Sequence, residues 1–546
     1  MSTDPPSSSE PEYLDAQTES ARSRRGPRAV VLGVAALAVA GAVGFGGWAA
    51  LTLMSGGSQP SEAVPANALG YVSLDLDPSA SQKIEAIQIL KKLPALEKEM
   101  DISGQDDLRR WVFDRMQEDG TCEGLDYDED VAPWIGDRIA VAGVPAGSEG
   151  ESPTPLVALQ VSDQDAASKG ISALAECGEA GEDFGFAFSG DYALISDSQE
   201  HAEEIAAEVE QGTLAEDADF QTWMDRVGEP GIVTMYAAPG AMTTMMDLQS
   251  DLAGELTGGA DSRALARAHA EAERMQEQLK DLYKDFSGMA GVVRFADGAV
   301  EAQFASDSSF EALGVDYSPE DKVDVTGLPA GTAAVLGMSL PDGWGQSYLD
   351  LFGKISGDER SMNQMLEMVE AQTGLAFPED VERLLGDGVA VALDQSMDVD
   401  SASHDPATIP AGVRISGDPQ EIQAAVDKVK AAFGPQADVL VTEHGDGVVA
   451  LGLDADYVKR LATEGGLGDD ATFQDVVPDA ERVASVFYLD FDAVTQWIDQ
   501  VAEQGGQRGP DEKMVRENLE PLRAVGVSSW VEDDEVAGML LRISTD

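Results

Sequence analysis

The chain has 546 residues, of which 43% are hydrophobic, and a chain of this length and composition can bury the cores of several domains. Its 101 acidic residues against 35 Lys and Arg give a formal net charge of -66 at pH 7. So large a negative charge repels phosphate backbones, and nucleic-acid binding is therefore excluded.

The N-terminal segment predicts a membrane anchor. Residues 1–28 are rich in Ser, Pro and Glu, which predicts a disordered tail. Residues 29–54 carry no charge, and about 20 apolar residues are enough to span a bilayer. Four arginines between positions 22 and 28 favour a cytoplasmic tail with the rest of the chain outside. We therefore expect a single-pass plasma-membrane protein with a flexible stalk at residues 55–64, and the alternative is a cleaved signal peptide.

The remainder of the chain contains an internal duplication. The stretch YDEDVAPWIGDRIAVAGV from Tyr127 and the stretch FPEDVERLLGDGVAVALD from Phe377 are identical at eight of eighteen positions. Six blocks recur in the same order, and in the first of them GYVSLD from Gly70 is matched with LGMSLP from Leu336. A period of about 250 residues is too long for a solenoid, so a duplicated domain is expected.

Each repeat alternates strands with amphipathic helices. Runs such as RIAVAGV and YALIS have the pattern of strands, whereas SQKIEAIQILKKL has that of a helix. Several strands are separated by two-residue turns, which favours antiparallel pairing. The predicted fold class is α+β, with a single N-terminal transmembrane helix followed by a tandem duplication of a mixed, largely antiparallel sheet domain with helices. The two extracytoplasmic repeats are expected at residues 65–318 and 323–546, with Gly136 and Gly386 at the left-handed ends of equivalent helices.

Two of these blocks also carry a family resemblance. The opening PANALGYVSLDLDPSASQKIEAIQILKKLPAL and the later DYDEDVAPWIGDRIAVA resemble the bacterial family known as domain of unknown function 3352, over most of residues 65–546. The second repeat departs from the family pattern, with Arg383 and Leu384 where the first has Pro133 and Trp134. Members of that family look like membrane-anchored proteins of high-GC Gram-positive bacteria and have no established activity. The resemblance therefore implies location and fold and supplies no catalytic residues.

The chain offers few groups for catalysis. It has four His, of which His201 and His269 lie in polar helical segments and His404 and His444 in loop or hairpin segments. No nucleophile elbow, zinc-protease helix, phosphate-binding loop or C-x-x-C pair is present in the sequence. We expect no cofactor and no enzymatic activity, and a carboxylate pair among the many acids stays open as the alternative.

A weak metal candidate is the segment DQSMDVDSASHD. Asp394, Asp398, Asp400 and Asp405 follow a spacing loosely similar to that of a calcium loop. However, Val399 stands where such a loop has its central Gly, and the segment ends in Asp rather than Glu. Calcium binding and a solvated loop are both open interpretations.

The two cysteines of the chain, Cys122 and Cys177, both lie in the first repeat. An even count in a compartment expected to be oxidising predicts a disulfide between them.

Together these features predict a non-enzymatic binding or scaffolding protein of the cell envelope. It would be held to the membrane by residues 29–54, with an envelope protein as its partner. One alternative is an envelope module that responds to divalent cations such as Ca2+. The other is a carboxylate-dependent envelope hydrolase, which would need two convergent acids, at least one with a raised pKa.

Overall fold

The computed structural model describes residues 58–76, 80–92, 109–110, 113–114, 117, 122, 124–146, 152–177, 184–246, 280, 283–307, 317–356, 359–505, 516, 518–532 and 536–546. The strands are β1 Gly70–Asp75, β2 Ile135–Val144, β3 Thr154–Val161, β4 Gly185–Ser189, β5 Tyr192–Ser196, β6 Val233–Ala237, β7 Met289–Ala296, β8 Ala299–Asp307, β9 Thr332–Ser339, β10 Gly388–Asp394, β11 Ala411–Ser416, β12 Val441–His444, β13 Val448–Gly452, β14 Ser485–Asp490, β15 Leu522–Val531 and β16 Val536–Thr545. The helices are α1 Ala80–Lys92, α2 Gln164–Cys177, α3 Gln199–Val209, α4 Ala218–Val227, α5 Trp344–Ser356, α6 Glu359–Thr373, α7 Glu379–Leu385, α8 Val399–His404, α9 Pro419–Phe433, α10 Ala455–Thr463, α11 Ala471–Val476 and α12 Phe491–Gly505.

These sixteen strands form one sheet, in which all the described neighbours pair antiparallel. Outward from the centre, the first half runs β8-β7-β6-β1-β2-β3-β5-β4 and the second runs β16-β15-β14-β9-β10-β11-β13-β12. Each strand of the first half therefore has a counterpart, eight numbers later, at the same position in the second half.

The two halves join at the centre of the sheet through β8 and β16. These strands pair over nine residue pairs, from Ala299 opposite Ser544 to Asp307 opposite Val536. Gln303 and Leu540 occupy equivalent positions in the two halves and lie directly opposite each other. The central pairing thus has the symmetry of a two-fold axis through this residue pair.

The first face of the sheet is covered by helices in both halves. Helices α3 and α4 pack on the first half, and α10 and α11 pack on the second. Phe220 of α4 meets Tyr236 edge-on at a centroid distance of 5.1 Å, and Phe473 of α11 meets Tyr488 at the same 5.1 Å. The two first-face cores are therefore built from equivalent aromatic contacts.

The second face is covered less evenly. Helix α2 packs on the outer strands of the first half and α9 on the outer strands of the second. Helix α1 packs on the inner strands of the first half. The inner strands of the second half form the surface considered below.

The predicted division into two sheet domains is wrong, because both halves belong to a single sheet. In separate domains, β8 and β16 would each be an edge strand with a row of unpaired backbone N–H and C=O groups. The structure satisfies these groups by pairing the two edges with each other. Backbone hydrogen bonds are made by every residue type, so the hydrophobic pattern carried no sign of this junction.

The predicted membrane anchor is also corrected. Within the described ranges, no helix has the length and apolar character needed to cross a bilayer. The tail 1–28 and the predicted transmembrane helix 29–54 lie outside those ranges. The structure therefore gives no support to a single-pass plasma-membrane protein with cytoplasmic and extracytoplasmic sides.

The described part of the predicted stalk, residues 58–64, is packed rather than flexible. Pro60–Ala63 forms a 3-10 turn, and Ala63 and Val64 are buried in the first-face core. The Tyr192 hydroxyl donates a hydrogen bond to the Ser58 carbonyl oxygen at 2.8 Å. The Gly, Ser and Pro content indicated a linker, but two apolar side chains were enough to fix the segment on the sheet.

The matched blocks need a two-residue correction at β1 and β9. Ser73 lies opposite Ala140, and Gly337 lies opposite the equivalent Ala390. Ser73 is therefore equivalent to Gly337. The sequence comparison had matched Ser73 with Ser339, which lies two residues further along β9. A shift of two residues leaves every side chain on the same face of a strand, so the apolar pattern could not reveal it.

The two glycines predicted as equivalent helix ends differ in the structure. Gly386 ends α7 with a φ of +61°. Gly136 instead lies inside β2, where a Cβ atom would come within 2.8 Å of the Gln160 side chain.

Candidate functional site

Five large apolar side chains lie exposed on the second face of the second half. They are Leu336 and Met338 of β9, Val391 of β10, Phe487 of β14 and Met539 of β16, each 39–55% exposed. These five residues are called the open strip below. Single exposed apolar residues are common on protein surfaces, whereas contiguous groups mark interaction sites.

The strand register makes the open strip continuous. Leu336 lies directly opposite Val391 on one side and Phe487 on the other. From β10 to β16, the two rows of this face are Val391, Leu336, Phe487, Val527 and Leu541, and Val389, Met338, Ser485, Ser529 and Met539. The rows carry no charge, and the hydroxyls of their two serines hydrogen-bond to each other at 2.7 Å. Five strands at about 4.8 Å spacing make this surface roughly 19 Å wide.

The equivalent surface of the first half is covered by a helix. By strand register, the positions equivalent to the open strip are Val72, Leu74, Val141, Met235 and Ala302. Val72, Leu74 and Met235 pack against Ala86 and Ile89 of α1. One surface of the duplicated sheet is therefore partly covered by a helix in the first half and open in the second.

Polar contacts explain where each helix lies. The Gln82 side chain of α1 donates to the Phe295 carbonyl at 2.6 Å and accepts from the Phe295 N–H at 2.8 Å. At the other end of α1, Lys92 Nζ donates to Thr545 Oγ1 at 3.1 Å. These contacts hold α1 on the sheet at both ends.

Helix α5 follows β9 as α1 follows β1, but its first turn is bound elsewhere. The N–H groups of Gly345 and Gln346 donate to Glu382 Oε1 of α7, at 2.9 and 3.3 Å. A carboxylate at a helix N-terminus is a favourable partner for these otherwise unpaired donors. The contact joins α5 to α7, and the open strip stays uncovered.

The predicted metal candidates do not converge. Asp394 is 2% exposed and accepts hydrogen bonds from Arg460 at 2.9 Å and from the Ser396 N–H at 2.9 Å. Asp398 caps α8, Asp405 caps the following 3-10 turn, and Asp400 is exposed. Among the described residues, no group of three or more His, Cys, Asp or Glu side chains could hold a metal ion. The carboxylates therefore have separate local roles instead of forming a calcium loop.

The described histidines make ordinary local contacts. His201 Nδ1 lies 2.6 Å from Asp197 Oδ1, and His444 Nε2 lies 2.9 Å from Gln423 Oε1. His404 is exposed beside the Asp400 carbonyl, and His269 lies outside the described residues. His404 Nδ1 also lies 3.0 Å from the hydroxyl of its neighbour Ser403, and that hydroxyl donates to the Asp400 carbonyl oxygen at 2.8 Å on the exposed surface of α8.

Cys122 is buried and disulfide-bonded, and Cys177 is the other cysteine of the chain. The pairing of Cys122 with Cys177 stays a prediction, and alkylation of the natively produced protein tests it. Two freely alkylated thiols would contradict it.

Two described carboxyl groups have a raised pKa. Burial, and then the neighbouring charge of Asp297, raise the pKa of Glu85 on α1. Glu85 Oε2 is buried and makes no hydrogen bond. Burial also raises the pKa of Asp490, which caps α12 by accepting from the N–H groups of Asp492 and Ala493.

The comparisons with known proteins name a family for the start of the chain. Residues 31–184 match the family described as "Protein of unknown function (DUF3352)". This part of the chain is similar to that family. The match ends just before β4, so the resemblance that the sequence suggested over most of residues 65–546 is confirmed only as far as residue 184. No curated protein matches the chain, and no solved structure matches it.

The open strip is the feature that the sequence pattern did not reveal. A signal was present in AAVLGMSL, VAVALD and SVFYLD, where apolar residues occupy successive positions and so both faces of a strand. Such runs are typical of strands buried on both sides. Here one face is buried and the other is open, which only the positions of the helices decide.

Proposed function

We propose that this protein is a non-enzymatic binding protein and that the open strip is its binding surface. The observation that carries the proposal is the contrast between the two halves, since the same surface is partly buried against the α1 cluster in one and exposed in the other. Burying a strip of this kind against an apolar partner is favourable by about 25 cal/mol for each Å² removed from water.

The surroundings of the strip support binding rather than catalysis. Its two rows offer apolar side chains and two mutually bonded serines, with no acid or base among them to activate a hydroxyl. Such a surface can select a partner by shape and apolar character, but its two rows have no general base to turn a hydroxyl into a nucleophile.

Binding of the neutral apolar dye Nile red to the full chain tests the proposal. Phe487→Thr keeps a strand-compatible residue but removes the central ring, so we expect dye affinity to fall roughly 5- to 30-fold, equivalent to about 1–2 kcal/mol. The matched control is Phe433→Thr, since Phe433 is 60% exposed at the end of α9 and lies outside the strip. Equal losses for both variants, or unchanged binding for Phe487→Thr, would reject the strip as the binding surface.

A carboxylate-dependent hydrolase is the second candidate, favoured by the raised pKa of Glu85 next to Asp297. Turnover of polysaccharide or peptide substrates by the purified protein, removed by Glu85→Gln, would support it. The binding proposal expects no turnover above the buffer blank, and hydrolysis that depends on Glu85 would overturn it.

A further inference from the structure

We infer that the open strip binds a cationic amphipathic helix about 13 residues long. The inference rests on the proposed function and adds the chemistry of the partner. Three observations carry it: the helix seated on the equivalent surface, the width of the strip, and the charge of the chain.

The first half provides a template for the partner. Helix α1 has 13 residues, and its Ala86 and Ile89 belong to one cluster with Val72, Leu74 and Met235, three of the five positions equivalent to the open strip. Elsewhere on the described second face, helices α2 and α9 cover the sheet. A partner strand would add to a sheet edge, whereas this surface is the face of inner strands. A helix is therefore the element that the geometry accepts.

The dimensions of the strip agree with this template. A 13-residue helix is about 20 Å long at 1.5 Å per residue, and the strip is roughly 19 Å wide across five strands. Side chains three and four residues apart lie on one face of such a helix and would meet successive strands. One apolar stripe of three or four large residues would fill the surface.

The charge of the chain selects the sign of the partner's polar face. The formal net charge is -66, and the two rows of the strip contribute no positive charge to offset it. Asp342 and Asp387 are exposed where β9 ends and β10 begins, beside the Met338 end of the strip. Lysines or arginines on the outer face of a bound helix would be attracted, and acidic residues there would be repelled.

Three synthetic peptides test the inference on the full chain by fluorescence anisotropy. The first has a leucine stripe at helical spacing and lysines on the other face, the second replaces each lysine by glutamate, and the third is a scrambled lysine peptide without a stripe. We expect the first to bind at least tenfold more tightly than either of the others, with an affinity that falls as salt is raised.

Phe487→Lys locates the site, with Phe433→Lys as the control of equal charge change. We expect the first variant to weaken the cationic helix at least tenfold and the second to leave it within about twofold. Circular dichroism and urea unfolding of both variants check that they are folded. Loss of binding without loss of folding supports the inference, and unchanged binding by a folded Phe487→Lys protein overturns it.

The remaining outcomes separate the inference from the proposed function. Equal binding of the scrambled peptide would mean charge attraction alone, and equal binding of the acidic peptide would mean an apolar site without charge selection. Either result overturns the inference, and strip-dependent Nile red binding would then leave the proposed function standing. Self-association of the chain that Phe487→Lys abolishes would identify a second copy as the occupant and would also overturn the inference. If neither Nile red nor the cationic peptide binds to the open strip, both the proposed function and the inference are rejected.

Discussion

At the residue scale, Gly386 and Gly434 form a matched pair. Each ends a helix, with φ and ψ of +61° and -145° at Gly386 and +62° and -145° at Gly434. They differ in their surroundings, because a Cβ at Gly386 would lie 2.1 Å from the Ser416 carbonyl oxygen, whereas one at Gly434 meets nothing within 4 Å.

We therefore expect Gly386→Ala to be much more destabilising than Gly434→Ala. The second change adds backbone strain of about 1–3 kcal/mol, and the first adds the same strain plus a further 1–3 kcal/mol for the clash. Urea unfolding of both variants measures the difference. Equal losses would show that the backbone around Ser416 yields to the added methyl group.

A second residue-scale feature is the buried carboxylate of Glu301. It pairs with the guanidinium group of Arg294 and, at 2.7 Å, with Arg542 Nη1 across the junction of the two halves. Glu301 and Arg542 are 5% and 9% exposed. At the equivalent place in the second half, the ring of Trp530 packs over Gly538, so the second half has no counterpart of the Arg294–Glu301 pair.

Glu301→Gln removes the carboxylate shared by the guanidinium groups of Arg294 and Arg542 and leaves Arg542 with the more distant Asp475 Oδ1 at 3.8 Å, so we expect a loss of about 3–5 kcal/mol in the free energy of unfolding. The control is Glu532→Gln, since Glu532 pairs with Arg226 on the surface, where such pairs contribute up to about 1 kcal/mol. Chemical unfolding at pH 7 compares the two. A small loss for Glu301→Gln would mean that water reaches the two arginines.

At the scale of elements, Asp380 joins α7 to α9. Its side chain is 3% exposed, it accepts a hydrogen bond from Lys428 Nζ of α9 at 2.6 Å, and it accepts another from the Ala376 N–H at 2.9 Å. These contacts hold the pKa of Asp380 below its usual value. A carboxyl group whose folded pKa is lowered stabilises the fold above its unfolded pKa of about 3.9, and this stabilisation is lost as pH falls through the folded pKa.

We therefore expect Asp380→Asn to lose about 1–3 kcal/mol at pH 7 and progressively less as the pH falls below about 4. Asp490 gives a control of opposite sign, because burial raises its pKa. The stabilisation that protonated Asp490 gives the fold is present below the unfolded pKa and is lost as the pH rises. The free energy of unfolding of Asp490→Asn should therefore increase relative to that of the wild type as the pH rises toward 7. Urea unfolding from pH 3 to 7 measures both trends, and parallel trends for the two variants would contradict this assignment.

At the scale of the whole molecule, the β8–β16 pairing makes one cooperative unit out of two halves. Nine residue pairs cross the junction, and Arg542 is bonded across it to Glu301. Separating the halves would expose two long edges with unpaired backbone groups.

We expect hydrogen exchange in increasing urea to release the amides of β8, β16 and both first-face cores in a single step. The central position of β8 and β16 also places their amides among the most protected of the described strands. Two separate steps, with one half exchanging at lower urea, would mean that the halves unfold as independent domains.

The amino-acid sequence by itself determined the local order of this protein. The six repeated blocks specified equivalent strands and helices, and the two-residue turns specified antiparallel neighbours, because both depend on contacts between residues close in the chain.

Only the tertiary structure decided how the halves meet and which surface stays open. The β8–β16 junction depends on backbone groups that every residue possesses, so no side-chain pattern marks it. Helices α1 and α5 follow equivalent strands, yet Gln82 and Lys92 hold α1 on the sheet while Glu382 holds α5 against α7. Local sequence patterns allow a helix to lie either on the sheet or against another helix. Contacts between residues distant in sequence decide between these positions, and in this chain they leave the open strip exposed.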